Sequence, residues 1–538
     1  MNQPIKSNLH ELIDTADNIL LLQGPVGDFF RHFSEWLSNE HGKTVHKLNF
    51  NGGDDWFYPQ TIPHTSSYRG SYDDFSTYLA GYIARHRIQA VVCFGDTRPY
   101  HILARTVAER DNITFWAFEE GYLRPYFITL EKSGVNAYSP LPRDAGFFME
   151  AYPRLPQQQY REPPAVPCGF MPVAKTAMRY YYQSNLKRKH YPNYIHHRPV
   201  QLGHYIKLWT MSACKRLNYW LEDRFMARHV RAGKYGRFFI VPLQVFNDSQ
   251  VRVHCDFSSV RSFLLHVLTS FATHAPSDTH LIVKHHPMDR GFIDYEKDIR
   301  AFVKKHPSLK GRITYVHDVP LPVFLRSGAG MVTLNSTSGL SALIHNMPVK
   351  TLGRAHYDIP GLTDQAPLAE FWHNPTAPDK DIFHAYRMYH INVTQINGSF
   401  YSQVNFPKIP SKKPAILMRP SETLFANGAA ENSTAVHSTL FCIARLRAAE
   451  IISGRTTVPP NPENRAECRR NTQNAGELLY LWPSENLDCR MYQKKARGAK
   501  PWIIMGCVIA ALLWLLYALG DILTPFVIAA VLESRPRR

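Results

Sequence analysis

Short apolar runs alternate with helix-like segments in this chain, and the alternation occurs twice. The first set of apolar runs covers residues 18–24, 44–50, 89–96 and 113–121, with helical periodicity over about 28–41 and 71–87. The second set covers residues 238–244, 280–286, 313–318 and 330–335, with helices predicted at 257–273 and 338–346. Strands that alternate with helices in this way are typical of parallel βαβ units. We therefore predict an α/β fold of two doubly wound, Rossmann-like domains, at residues 1–150 and 236–425.

The segment between these domains, residues 151–235, is predicted to be a linker followed by a basic helical region. Residues 152–167 are rich in Pro and Gln, and residues 170–235 are rich in Lys, Arg, Tyr and Trp. The formal net charge of +18 requires an anionic partner: nucleic acid, a membrane surface or an acidic substrate. Two interpretations of the basic region remain open, an ordinary inter-domain helical element and a surface for anionic phospholipid. A nucleic-acid role is disfavoured because no base-reading module is recognisable.

The compartment and the C-terminal part are predicted from composition. Eight cysteines without a CxxC or zinc-ligand spacing favour reduced thiols and a cytoplasmic body. The polar, acidic N-terminus is unlike a signal peptide. Residues 426–500 are polar and are predicted to be a disordered linker. Residues 501–533 are predicted to be a transmembrane segment, since 503–519 are continuously apolar and a basic run, 494–500, precedes them.

Candidate site residues in the first domain follow the apolar runs, where α/β proteins bind ligands. Gln23 and Gly24 begin a glycine-containing turn that suits a phosphate or simply closes a tight turn. Asp96, Arg98 and His101 follow the third run, either as a helix cap with its Arg partner or as an anion site. Two adjacent carboxylates end the fourth run, with a cation close by: Glu119, Glu120 and Arg124. Adjacent strand residues point to opposite faces, so only one of the two glutamates can face a cleft, as a nucleophile or general base.

Three turns of the second domain carry polar groups suited to an anionic donor. The first turn contains Gln244, Asp248 and Ser249, and the second contains His285, His286 and Pro287. The third turn has three hydroxyls ahead of a helix, Ser336, Thr337 and Ser338, which is more than one N-cap needs. A His at a strand end can donate to a phosphate as the leaving group departs. No Asp-x-Asp motif occurs in the sheet loops, so we predict no metal.

Seven motifs together resemble the bacterial capsule polysaccharide biosynthesis family of KpsS/LipB type. In order they are LLLQGPVGDFFRHF, KLNFNGGDDWFYP, FGDTRPYH, FEEGYLRPYFITLE, VPLQVFNDSQ, HHPMDRG and TLNSTSGLSALIHNMPVKTLG. The resemblance implies a GT-B-like fold with a cleft between the domains and a retaining β-Kdo transferase. The implied donor is CMP-Kdo and the implied acceptor is lyso-phosphatidylglycerol or another anionic lipid, with no cofactor.

The same resemblance implies roles for the candidate residues. His285, His286 and Pro287 resemble a His-Pro motif of CMP-sugar transferases, and Ser336, Thr337 and Ser338 resemble their Ser/Thr motif. The catalytic candidates are Glu119, Glu120, Asp96 and His286. The donor pocket would also contain Gln244 and Asp248, while Arg98 and Arg124 would help hold the acceptor.

The resemblance also implies partners and leaves alternatives. Other capsule assembly and export proteins are expected partners, and the cytoplasmic face of the inner membrane is the expected location. The last residues, 500–538, resemble the start of a PerM-type transporter, so no catalytic role is assigned after residue 430. Two alternatives remain: a non-catalytic export or docking factor for lipid-linked polysaccharide, and a nucleotide-sugar epimerase.

Overall fold

The computed structural model describes residues 3–167, 169–196, 202–248, 251 and 253–410. These residues belong to one compact unit that spans Met1–Lys412. The predicted linker at 426–500, the predicted transmembrane segment at 501–533 and the candidate residue Ser249 lie outside the described residues. No helix in the described part of the chain is long and apolar enough to cross a membrane.

The first sheet is assembled around four parallel strands whose apolar side chains are buried on both faces. Its first six strands are β1 (Asn18–Leu21), β2 (Thr44–Asn49), β3 (Thr65–Ser67), β4 (Ala90–Phe94), β5 (Thr114–Glu120) and β6 (Phe127–Lys132). β3, β2, β1, β4 and β5 are neighbours in this order and are parallel, while β6 runs antiparallel to β5. Burial of both faces explains why these strands appear in the sequence as continuous apolar runs.

Helices on both sides of this sheet begin and end at recognisable residues. They are α1 (Asn8–Thr15), α2 (Phe29–His41), α3 (Gly52–Phe57), α4 (Phe75–His86), α5 (Pro99–Arg110) and α6 (Ala145–Ala151). The Asn51 side chain caps α3 by accepting from two backbone N–H groups, and Gly42 ends α2 in a left-handed conformation. Pro99 occupies the first turn of α5, where no N–H is needed.

The second sheet is entirely parallel, as the sequence predicted. Its strands are β7 (Phe238–Pro242), β8 (His280–Lys284), β9 (Ile313–Val316), β10 (Gly330–Thr333) and β11 (Val349–Thr351), in the spatial order β11-β10-β7-β8-β9. Three helices precede it: α7 (Phe170–Leu186), α8 (Leu202–Asp223) and α9 (Met226–Arg231). The later helices are α10 (Val260–His274), α11 (Glu296–Lys305), α12 (Pro322–Leu325), α13 (Ser338–Ile344), α14 (Leu368–Phe371) and α15 (Lys380–Val393).

The chain returns to the first sheet after the second is complete, which the sequence did not predict. α15 leads into a seventh strand of the first sheet, β12 (Gln395–Asn397), which pairs antiparallel with β6. Ile396 and Phe400 are buried in the core of the first sheet. The predicted domain 236–425 therefore needs correction at its C-terminal end, because the residues after α15 pack against the first sheet and not the second. A three-residue strand is too short to give a recognisable apolar period.

Candidate active site

The polar residues predicted from the sequence lie at matching ends of the two sheets. Gln23, Asp96 and Glu119 lie at or just beyond the carboxyl ends of β1, β4 and β5, which are parallel. Gln244, His286 and Ser336 follow β7, β8 and β10, which are also parallel. Carboxyl ends of adjacent parallel strands share one edge of a sheet, so each half gathers its candidates at one edge.

The two adjacent glutamates of β5 are oriented to opposite faces of the sheet. Glu119 accepts hydrogen bonds from Asn136 Nδ2 at 3.2 Å and from the backbone N–H of Glu120 at 2.9 Å. Glu120 accepts a hydrogen bond from the Tyr401 hydroxyl at 3.1 Å, on the face that the returning chain covers. The structure thus separates two carboxylates that look equivalent in the sequence.

Glu119 is a carboxyl group whose pKa is raised to near neutral pH. Burial, together with smaller contributions from neighbouring carboxylates, raises the pKa of Glu119 to about 7. One of these neighbours is Asp248, which follows β7 of the second sheet. A charge on the second half is therefore close enough to Glu119 to perturb it, so the two halves face each other at this point.

His286 lies at the same junction and is a neutral hydrogen-bond donor. Its Nδ1 accepts from the backbone N–H of Met288 at 3.2 Å, which leaves the ring proton on Nε2. Burial, together with smaller contributions from the cations Lys284 and Arg124, lowers the pKa of His286 to about 4. Arg124 belongs to the first half, so the His-Pro turn and the glutamate strand share one junction.

Hydroxyl and amide groups border this junction on the second sheet. Gln244 Nε2 donates to Asn335 Oδ1 at 3.0 Å, which joins the turns after β7 and β10. Ser336 Oγ accepts from the backbone N–H of Ser338 at 3.2 Å. Thr337 is the N-cap residue of α13 but makes no side-chain capping hydrogen bond. All three hydroxyl residues are partly exposed.

Three predicted site residues are instead engaged inside the halves. His285 is buried, and its Nδ1 lies 2.6 Å from the Tyr315 hydroxyl, because alternate residues after a strand point to opposite sides. Asp96 is buried and accepts from the backbone N–H of Val135 at 2.9 Å. His101 is buried, and its Nδ1 donates to the Gly95 carbonyl at 2.6 Å. Their burial inside the halves differs from the exposed position expected of groups that touch substrate, and their predicted roles stay predictions.

The turn after β1 is covered by the inter-domain segment. Gln23 is buried and donates from Nε2 to the hydroxyls of Tyr180 at 3.0 Å and Tyr194 at 2.8 Å. Arg98 donates from Nη1 to the Gly24 carbonyl at 3.1 Å and stacks over Phe94, 5.2 Å from the ring centroid. Arg98 forms no ion pair with any carboxylate of the described residues, so its charge is available to an anion.

A buried network behind Glu119 was missed by the sequence analysis. Asn136 donates its backbone N–H to the Tyr122 hydroxyl at 2.6 Å, and that hydroxyl donates to Glu131 Oε2 at 2.8 Å. Arg143 donates to the Asn136 carbonyl at 3.2 Å and to the His356 carbonyl, in the second half, at 2.9 Å. Burial raises the pKa of Glu131 to about 7. Glu131 looks like an ordinary strand residue in the sequence, so no local signal marks it.

No group of three or more His, Cys, Asp or Glu side chains within the described ranges is arranged to hold a metal ion. The side chains at the junction include the Glu119 carboxyl with its raised pKa, the neutral His286 imidazole and the guanidinium groups of Arg98 and Arg124. Such a set can transfer protons, attack an electrophilic carbon and bind an anionic ligand.

Fold and site together define a two-sheet α/β protein with polar and charged side chains at the junction between its halves. Residues 89–401 match the family described as capsule polysaccharide biosynthesis protein. The chain is 67% identical over 403 residues to the capsule polysaccharide modification protein LipB of Neisseria meningitidis serogroup A, covering 75% of this chain and 96% of that protein. It is 38% identical over 397 residues to the capsule polysaccharide export protein KpsS of Escherichia coli, covering 74% of this chain and all of that protein. The chain belongs to the capsule polysaccharide biosynthesis protein family and has a role in capsule biosynthesis.

Among solved structures, the chain is similar to the beta Kdo 2,7 transferase KpsC of Thermosulfurimonas dismutans. The sequence identity is 13% and the TM-score is 0.32, over 68% of this chain and 89% of that chain.

Proposed function

We propose that this protein is a glycosyltransferase that transfers Kdo from CMP-Kdo to lyso-phosphatidylglycerol, at the cytoplasmic face of the inner membrane. The observation that carries the proposal is the position of Glu119. Its carboxyl has a pKa of about 7 and lies close enough to Asp248 of the second half for that carboxylate to help raise the pKa. A carboxyl that titrates near working pH suits a group that is ionised to attack and protonated when it is displaced. In this proposal the two halves form a GT-B-like cleft.

The donor binds on the second half in this proposal. The neutral His286 donates a hydrogen bond from its Nε2–H to the phosphate oxygen that leaves with CMP, and it keeps its proton. The Ser336 and Ser338 hydroxyls and the Arg124 guanidinium offset the charge of the phosphate and the sugar carboxylate. No metal or other cofactor takes part in these steps.

The transfer proceeds by double displacement in this proposal. The Glu119 carboxylate attacks the anomeric carbon of Kdo, and the bond to the CMP phosphate oxygen breaks. The acceptor hydroxyl then attacks the same carbon from the opposite side, which releases Glu119 and retains the anomeric configuration. Asp248, across from Glu119, accepts the hydroxyl proton.

Mass spectrometry of the product tests the proposal directly. The full chain is incubated with short-chain lyso-phosphatidylglycerol, CTP, Kdo and a CMP-Kdo synthetase. We expect the acceptor to gain one or more Kdo units. Glu119→Gln removes the nucleophile, so it should lower the rate by a factor of about 1,000 or more. Glu120→Gln is the matched control, because Glu120 faces Tyr401, and we expect it to retain most of the activity. Equal rates for the two variants would disprove the assigned role of Glu119.

A non-catalytic docking factor is the second candidate, and the exposed basic residues of α7 favour it. This candidate predicts that neither glutamate variant changes capsule export in cells. A nucleotide-sugar epimerase would instead produce an altered sugar nucleotide without any lipid acceptor. The same mass spectrometry experiment with the acceptor omitted separates it from the transferase.

A further inference from the structure

The inter-domain segment carries a long stretch of positive charge without compensating acids. Between Glu162 and Glu222 the sequence contains no Asp or Glu. α7 and the turn that follows it expose four of the basic residues in this stretch: Lys175, Arg179, Arg188 and Lys189. None of these four makes an ion pair with a carboxylate of the described residues. The local charge therefore faces solvent without internal compensation.

Large apolar side chains are exposed beside these cations. Trp56 of α3 is 47% exposed, and its ring lies 5.4 Å from the Arg179 guanidinium. Leu186, at the end of α7, is 64% exposed. Helical spacing places Lys175, Arg179 and Leu186 on one stripe of α7. We call this surface the basic face: Lys175, Arg179, Leu186, Arg188 and Lys189 with Trp56. Cations mixed with Trp and Leu are typical of a surface that lies on a phospholipid bilayer.

A cavity of about 300 Å³ opens next to the basic face. It is lined by Asp55, Pro59, Gln60, Arg69, Lys187 and His190. Lys187 Nζ lies 3.2 Å from Asp55 Oδ2, whereas Arg69 packs over the Tyr191 ring and forms no ion pair with a described carboxylate. Asp55 is buried, and its Oδ1 accepts from the Tyr191 hydroxyl at 2.8 Å. The cavity thus offers the guanidinium of Arg69 and the ammonium of Lys187 to a phosphodiester, while the buried Asp55 holds Lys187 in place.

We propose that the basic face docks the protein on a bilayer of anionic phospholipid, with a glycerophosphate headgroup in the adjoining cavity. Arg69 and Lys187 bind the phosphodiester, and Asp55 positions the Lys187 ammonium. Trp56 and Leu186 enter the boundary between headgroups and acyl chains. This inference rests on the proposed function in one respect: the bilayer would supply the lipid acceptor of the transferase.

The cavity and Glu119 lie at the same edge of the first sheet. Four of the cavity residues, Asp55, Pro59, Gln60 and Arg69, follow β2 or β3, and Glu119 lies at the carboxyl end of β5. β5, β4, β1 and β2 are consecutive neighbours, so three inter-strand steps of roughly 4.8 Å separate the two sites, or about 14 Å. A bilayer against the basic face would therefore present lipid headgroups beside the active-site edge.

Vesicle flotation with a matched charge control tests this inference. The face variant is Arg179→Glu, Arg188→Glu and Lys189→Glu. The control variant is Lys304→Glu, Lys305→Glu and Lys310→Glu, which changes the net charge equally at exposed positions on and after α11 of the second half. Residues 1–412 and the full chain are both used, with vesicles of phosphatidylcholine containing about one third phosphatidylglycerol.

We expect the face variant to bind these vesicles about 100-fold more weakly than wild type, and the control variant to change by less than about threefold. Wild type should not bind vesicles of phosphatidylcholine alone. Arg69→Ala should weaken binding about fivefold, because it removes one contact to the headgroup. Equal losses for the face and control variants would overturn the proposal. Binding of single-stranded RNA by wild type without vesicle binding would also overturn it, in favour of a nucleic-acid surface.

A variant of the active site separates this inference from the proposed function. Glu119→Gln should bind vesicles like wild type while forming no product. Vesicle binding with the expected variant pattern, but no Kdo transfer by wild type, would reject the transferase and retain the docking surface. Transfer to the soluble short-chain acceptor with no vesicle binding would do the opposite.

Discussion

At the scale of single residues, the site depends on which of two neighbouring glutamates faces the second half. Because successive residues of a strand point to opposite faces, the sequence predicts that only one of the two glutamates faces the second half. It could not tell which, since the partners Asn136 and Tyr401 come from distant turns. His285 and His286 pose the same problem, and the packing of Tyr315 against His285 resolves it. The local sequence pattern thus predicts that two adjacent residues point to opposite faces, and tertiary contacts determine which of them faces the site.

The raised pKa of Glu119 predicts a stability change that does not depend on any activity. In the folded protein the pKa is about 7, above the ordinary value of 4.5 for a glutamate, so between these two pH values the folded state holds a proton that the unfolded state has lost. The stability that this group contributes is present below about pH 4.5 and is lost as the pH rises through about 7, by at most ~3 kcal/mol. Glu119→Gln should therefore be more stable than wild type at about pH 8 and gain little at about pH 5.

Urea unfolding of both proteins at the two pH values measures this difference. Glu40→Gln, at an exposed position near the end of α2, is the control and should show no comparable gain. A Glu119→Gln variant that is equally or less stable than wild type at the higher pH would show that the carboxylate is not destabilised by burial.

At the scale of secondary structure elements, the inter-domain segment is part of the first half rather than a passive connection. α7 approaches α3 so closely that a Cβ at Gly52 would lie 2.3 Å from the Gln183 carbonyl oxygen. A Cβ at Gly53 would lie 2.6 Å from Ser184 Oγ. The Gly-Gly pair in the motif KLNFNGGDDWFYP therefore permits helix packing. The sequence pattern does not predict this contact, because periodicity does not indicate which helix packs against a given turn.

Replacing one of these glycines should separate the two helices. We expect Gly52→Ala to destabilise the protein by about 1–3 kcal/mol, because the added methyl group meets backbone that cannot move independently. Gly81→Ala is the matched control, since nothing lies within 4 Å of its added Cβ in α4. The control should be stabilising by about 0.5–1 kcal/mol. Chemical denaturation measures both, and similar effects of the two substitutions would contradict the close packing of α3 and α7.

At the scale of the whole molecule, the sequence predicted the two parallel sheets and the edge of each sheet at which the candidate polar residues lie. The apolar runs of β1, β4, β7 and β8 made this possible, because strands buried on both faces are apolar throughout. The antiparallel strand β6 and the return through α15 to β12 were not predicted. The pairing of β12 with β6 joins residues more than 250 positions apart, such as Gln395 and Thr129, and therefore leaves no local pattern.

The return of the chain makes the first half dependent on residues that follow the second. Phe400 packs edge-on against Phe29 at 4.8 Å between ring centroids, and Phe406 stacks on Trp36 at 4.6 Å. Burying one such aromatic side chain is worth about 3–5 kcal/mol when it is truncated to Ala, against a total folding stability of about 5–15 kcal/mol. Loss of the whole segment after α15 therefore removes an amount comparable to the stability of the unit.

Two truncations test this dependence. Residues 1–412 include both sheets and β12, and the alignments with LipB and KpsS cover 96% and 100% of those proteins. We expect this fragment to unfold cooperatively in a thermal scan followed by circular dichroism. Residues 1–394 lack β12, Phe400 and Phe406, so they should show no cooperative transition. Phe400→Ala within residues 1–412 provides an intermediate case, with a lowered melting temperature and an intact fold. If residues 1–394 melted at the same temperature as residues 1–412, the two halves would be independent and the return strand would be dispensable.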